Sequence, residues 1–73
     1  MENKLIYGLC KELASIRTER GLSLDVVADV SNIHKSTLSK YERGLLSPKI
    51  NTVEVWAESL GHEVCATLRK AIT

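Results

Sequence analysis

Seventy-three residues amount to one small domain, whose core buries only ~60% of the surface its unfolded chain exposes, so that a partner subunit would add useful stability. A composition 44% hydrophobic and 26% charged excludes a disordered chain. No apolar run approaches the ~20 residues that cross a bilayer and no signal peptide opens the sequence, so no membrane partner and a cytoplasmic location are expected.

The net charge of +1 conceals a pattern: residues 34–50 carry Lys35, Lys40, Arg43 and Lys49 against Glu42 alone, while the flanking segments are each slightly acidic. A local basic patch on a near-neutral chain suits a polyanion docked on one face. Cys10 and Cys65 form no C-x-x-C pair, and with His34 and His62 they complete no metal spacing. Two small semi-buried thiols, no disulfide, no metal and no cofactor are therefore expected.

Residues 4–20 have the periodicity of a helix, with Leu5, Ile6, Leu9, Leu13 and Ile16 at three- and four-residue spacing and Gly21 as its stop. Ser23 caps a second short helix with Asp25 in its first turn, where a carboxylate favours the positive end of the helix dipole. Val26, Val27 and Val30 are expected on its apolar face, and Ala28 is small enough to let another helix approach. Ser31-Asn32-Ile33 is the break, since Asn tolerates the left-handed conformation of a tight turn. Residues 34–43 form a third helix with Thr37, Leu38 and Tyr41 inward and Lys35, Ser36, Ser39, Lys40 and Arg43 elsewhere. The latter face is short, polar and basic, with serines that let a nucleic-acid backbone come close. After a loop containing Pro48, Asn51 or Thr52 is expected to cap a fourth helix whose apolar face is Val53, Trp56, Ala57 and Leu60, ended by Gly61. The tail alternates, with Val64, Ala66 and Leu68 on one side and Glu63, Cys65, Thr67 and Arg69 on the other. Period two favours a strand that pairs with its copy in a second subunit; a fifth helix using Val64, Leu68 and Ile72 is the alternative.

A short helix, an Asn-containing turn and a second short helix make a helix-turn-helix. GLSLDVVADVSNIHKSTLSKYERG, residues 21–44, closely resembles the lambda-repressor/Cro-like (XRE-type) family, and SPKINTVEVWAESLG, residues 47–61, resembles its fourth helix. With Arg17 the likeness covers about residues 5–61. It implies an all-α fold of four or five helices, a DNA-binding domain over residues 1–61 with the helix-turn-helix at 23–43, and a dimerisation tail over 62–73. By the same resemblance Lys35, Ser36, Ser39 and Lys40 read bases, while Thr37, Arg43, Lys49 and His34 approach phosphates. Arg17 and Glu42 match an ion pair joining the first and third helices, and Val64, Ala66 and Leu68 a dimer interface. The sequence departs from the family pattern at Leu24, usually a Gln that touches a phosphate, and at Asn32, usually Gly.

The expected function is sequence-specific binding of double-stranded DNA at an inverted-repeat operator by a homodimeric transcriptional regulator, a repressor or autoregulator at the nucleoid. An alternative is an antitoxin-like module that neutralises a partner protein and binds DNA for autoregulation. A toxin and RNA polymerase are the protein partners these readings imply. No constellation of nucleophile, base and orienting group appears, so no enzyme is expected.

Overall fold

A computed structural model describes residues 4–65, which hold four helices and no strand. They are α1 Lys4–Glu19, α2 Leu24–Ser31, α3 Lys35–Glu42 and α4 Ile50–Ser59. Helix α1 packs on α3 and α4, and α2 packs on the same two helices.

Helices α2 and α3 owe their ends to specific chemistry. Ser23 caps α2, its side-chain oxygen accepting from the Val26 amide at 3.3 Å. Asn32 ends that helix in the left-handed region at φ 63°, and its own amide donates to the Ala28 carbonyl at 2.9 Å. His34 caps α3: its Nδ1 accepts from the Ser36 amide at 3.1 Å. Gly44 closes α3 at φ 74°, the Leu45 amide reaching back to the Lys40 carbonyl at 2.9 Å. The left-handed backbone favours glycine here, and a Cβ would lie 2.9 Å from Tyr7 Cε1, so that the ring would have to shift.

The fourth helix starts earlier than its residue types suggest. Neither Asn51 nor Thr52 caps it; Lys49 is the N-cap, with φ −75° and ψ 158° and no side-chain hydrogen bond. The Lys49 carbonyl already accepts from the Val53 amide at 3.1 Å, so hydrogen bonding begins directly after the buried Pro48.

The core draws on all four helices: Ile6, Cys10 and Leu13 from α1, Val27 from α2, Leu38 from α3, and Val53, Trp56 and Ala57 from α4, with Leu60 at its end. Leu38 and Trp56 are wholly excluded from solvent, each side chain contributing about 1.5–3 kcal/mol through burial. The Tyr41 ring lies 5.9 Å from that of Trp56, tilted by 32°. Trp56 Nε1 is buried with no hydrogen-bond partner.

Three apolar residues read as inward-facing lie outside. Leu5 is 62% exposed, Val30 63% and Val26 48%. On α2 the buried stripe runs through Leu24, Val27, Ala28 and Ser31; at ~100° per residue, Val26 and Val30 fall on the far side of Val27 from that stripe. Leu5 likewise precedes by one residue the α1 stripe of Ile6, Cys10 and Leu13. Cys10 is a core residue and Cys65 an exposed thiol, so the two differ where similar half-burial was expected.

The beginning of the tail, residues 62–65, carries no regular structure. Val64 is half-buried against the core of its own subunit. Ala66, Leu68 and Ile72, on which the strand and fifth-helix readings turn, lie outside the described residues.

Candidate nucleic-acid interface

Buried Leu38 sets the orientation of α3. At ~100° per residue, Ser36, Lys40 and Arg43 point furthest from it, while Thr37 and Ser39 stand at its flanks. Exposure follows that geometry: Ser36, Lys40 and Arg43 are exposed, Thr37 and Ser39 half-buried. The outward face is thus the Ser36 hydroxyl and the Lys40 ammonium on an eight-residue helix, continued by the Arg43 guanidinium at its C-cap. Arg43 Nε donates to the Ser39 carbonyl at 3.3 Å, which folds that guanidinium back along its own helix. Ser36 Oγ lies 2.8 Å from His34 Nδ1, so the hydroxyl and the capping ring form one unit at the helix start. Lys49 is exposed at the start of α4.

Lys35 sits differently from the other cations of this segment. Its Nζ is 3.1 Å from Asp25 Oδ1 on α2, with 57% and 73% of the two side chains exposed. The sequence accounts for Asp25 through the helix dipole alone, and its second role came from the packing of α2 on α3. The available signal was positional: both residues lie in the first turns of the two helices of the motif.

Arg17 and Glu42 hold α1 to α3. Arg17 Nε donates to Glu42 Oε2 at 2.7 Å and Nη2 to Oε1 at 2.9 Å, a bidentate pair with side chains only 16% and 11% exposed. Arg17 Nη1 also donates to the Leu22 carbonyl at 2.7 Å, in the link between α1 and α2. One guanidinium therefore ties together the three segments that fix the angle of α3. The hydrogen bond to Glu42 raises the Arg17 pKa further, against the opposing cost of burial. Sequence reasoning did not single out Arg20, whose Nη1 donates to the Leu60 carbonyl at 2.7 Å and satisfies the C-terminal end of α4. Leu24 is half-buried against the core, and its side chain has no polar atom with which to reach a phosphate.

Among the described residues no group of three or more His, Cys, Asp or Glu is placed to hold a metal ion, and no helix is long and apolar enough to cross a membrane.

A family model described as Helix-turn-helix matches residues 13–63, which include all of α2, α3 and α4. Among curated proteins, the chain is 38% identical over 53 residues to the HTH-type transcriptional regulator DdrOP3 of Deinococcus deserti, covering 73% of this chain and 41% of that protein. It is also 38% identical over 50 residues to the cryptic phage CTXphi transcriptional repressor RstR of Vibrio cholerae, covering 68% of this chain and 45% of that protein. The chain thus spans less than half the length of these relatives. No solved structure gives a significant match.

Proposed function

This chain belongs to the XRE-type helix-turn-helix family, and from that membership we propose that it is a transcriptional regulator that binds duplex DNA in a sequence-specific manner, with α3 as the reading helix. The observation that carries the proposal is the outward face of α3. Ser36, Lys40 and Arg43 project from a helix whose opposite side is anchored by the fully buried Leu38. The Arg17–Glu42 pair pins its C-terminal end. A rigid helix with a short polar face can enter the major groove, where lysine donates to guanine O6 and N7 and serine contacts either kind of base.

The proposed mode is a homodimer on an inverted repeat, each α3 reading one half-site, with centres ~34 Å apart. Lys35, Ser36, Ser39 and Lys40 are the proposed base readers, and Thr37, Arg43, Lys49 and His34 the phosphate contacts. Repression by occlusion of a promoter is the proposed outcome, in keeping with the repressor named among the relatives.

Selection from random duplexes with the purified chain, sequenced and repeated at two salt concentrations, tests this. An enriched inverted repeat supports the dimeric reader. Binding without a motif, collapsing as salt rises, would leave only phosphate attraction and favour a protein partner instead.

A further inference from the structure

Four cations lie between residues 34 and 50, and among the described residues only Lys35 of these four has a carboxylate partner. The ion pairs of the described residues are Arg17–Glu42 and Lys35–Asp25. Lys40, Arg43 and Lys49 take part in neither. Lys35 is the first residue of α3, where the positive end of the helix dipole disfavours an ammonium, and Asp25 offsets that cost from the first turn of α2. Both groups are largely exposed, so the pair is free to face a third partner.

We infer that Asp25 is a specificity-setting positioning residue, whose carboxylate withholds Lys35 from phosphates while leaving it available to a guanine edge. The inference rests on the DNA-reading proposal above. A phosphate that takes Lys35 must bring its negative charge up to the Asp25 carboxylate, so the attraction gained is cancelled by repulsion and by loss of the existing pair. Guanine O6 and N7 are neutral acceptors. An ammonium has three donors; it can give two to the base and keep the third on Asp25. The carboxylate therefore penalises anionic partners and spares base edges. Non-specific affinity rests on the uncompensated cations Lys40, Arg43 and Lys49, and Lys35 acts where a suitable base is present.

The test compares the full chain with Asp25→Asn, Asp25→Glu and Asp25→Asn combined with Lys35→Met, all checked for helicity. Binding is measured by fluorescence anisotropy on two duplexes, the selected operator and a scrambled sequence of equal length. Asp25→Asn is expected to bind the scrambled duplex more tightly. It should also add one phosphate contact, steepening the salt dependence so that its affinity falls a further ~3.5-fold between about 50 and 200 mM salt. The gain on the operator is expected to be smaller, so the ratio of the two affinities drops. Asp25→Glu should restore the wild-type ratio, and Lys35→Met should remove the gain. An unchanged scrambled affinity and salt slope in Asp25→Asn would overturn the inference, as would a gain that survives Lys35→Met. A wild type that binds neither duplex would overturn the DNA-reading proposal itself, and this inference with it.

Discussion

Arg17 and Glu42, 25 residues apart in the chain, meet through two parallel N–H···O bonds of 2.7 and 2.9 Å. Their side chains are mostly shielded from water. A charged pair in such a place has already lost much of its hydration, and removing one partner strands the other. Arg17→Met is expected to destabilise the fold by about 2–4 kcal/mol, less than the loss of a fully buried pair. The double variant Arg17→Met with Glu42→Leu should recover a large part of that loss, since two apolar side chains need no partner. Urea titration of the wild type and the two variants measures it; equal stability of Arg17→Met and wild type would contradict the role. The hydrogen bond raises the Arg17 pKa, so the contribution from this side is complete below the ordinary arginine range. It is lost only as pH climbs through the raised folded-state value, beyond any normal buffer.

Lys40 and Ser39 separate two kinds of contact on α3. Lys40 is exposed on the face turned from Leu38, whereas Ser39 is half-buried at the flank. Each replaced by Ala should lower affinity for the selected operator by roughly 1–3 kcal/mol if it touches a base. The salt slope should flatten only for Lys40→Ala, because a serine releases no counterion. Unchanged operator affinity in both variants, with normal melting, would sink the proposed reading face.

The helices were legible because their apolar residues recur at helical spacing and their stops are Gly21, Asn32, Gly44 and Gly61, all four with positive φ. Their faces were less so. Three valines on α2 suggest a stripe by hydrophobicity alone, yet the stripe that packs includes Ser31, which is 6% exposed, with its side-chain oxygen accepting from the Ile33 amide at 3.2 Å. A buried polar residue satisfied by a turn that does not yet exist in the sequence carries no hydrophobic signal. The start of α4 was misplaced for a related reason. Residue preference favours Asn51 or Thr52, but hydrogen bonding begins at Lys49, where no side chain serves as cap. The Arg17–Glu42 pairing came from family resemblance, not from spacing. The Asp25–Lys35 pair was missed because a helix-dipole role already accounted for Asp25.

The two thiols should behave as opposites. Cys10 is 3% exposed in the core, and burial pushes its pKa up; Cys65 is exposed. A thiol reagent should modify Cys65 at once and Cys10 only at the rate of unfolding. Two equivalents reacting together in the native protein would place Cys10 outside the core. The raised pKa also has a sign. The stability Cys10 confers is complete below the thiol's unfolded pKa and is lost as pH rises through the higher folded value, because the unfolded chain ionises first. Cys10→Ala should therefore be less stable near neutrality through its cavity, yet lose less stability than wild type on going to alkaline pH.

Gly44→Ala should destabilise the chain by about 1–2 kcal/mol from the left-handed backbone alone, with a further cost from the approach of Tyr7 Cε1, 2.9 Å from the added Cβ. In the Tyr7→Ala background the same substitution should lose the steric part and keep the backbone part. Thermal melts of the four chains give both terms. Equal costs in the two backgrounds would show that the ring moves aside freely.

The proposed dimer interface divides at Val64. That side chain packs against its own subunit's core, in a cleft bordered by Leu9, Leu13, Ile16, Val53 and Ala57. Val64→Asp would replace that apolar contact with a carboxylate, in a cleft that Glu12 and Glu63 also border, and its first effect should be lost stability, so any monomer it yields says little about pairing. Leu68→Asp is a second probe of the proposed tail interface, read together with its melting profile. If the tail joins two subunits, Leu68→Asp should sediment as a folded monomer with a normal melting profile at low concentration and with much weakened operator binding, since one reading helix must then do the work of two. Single half-site affinity should survive at high protein concentration. A dimer persisting in Leu68→Asp by sedimentation would remove the tail from the interface and shift the search to the exposed apolar residues of the helices, Leu5 and Val30 first.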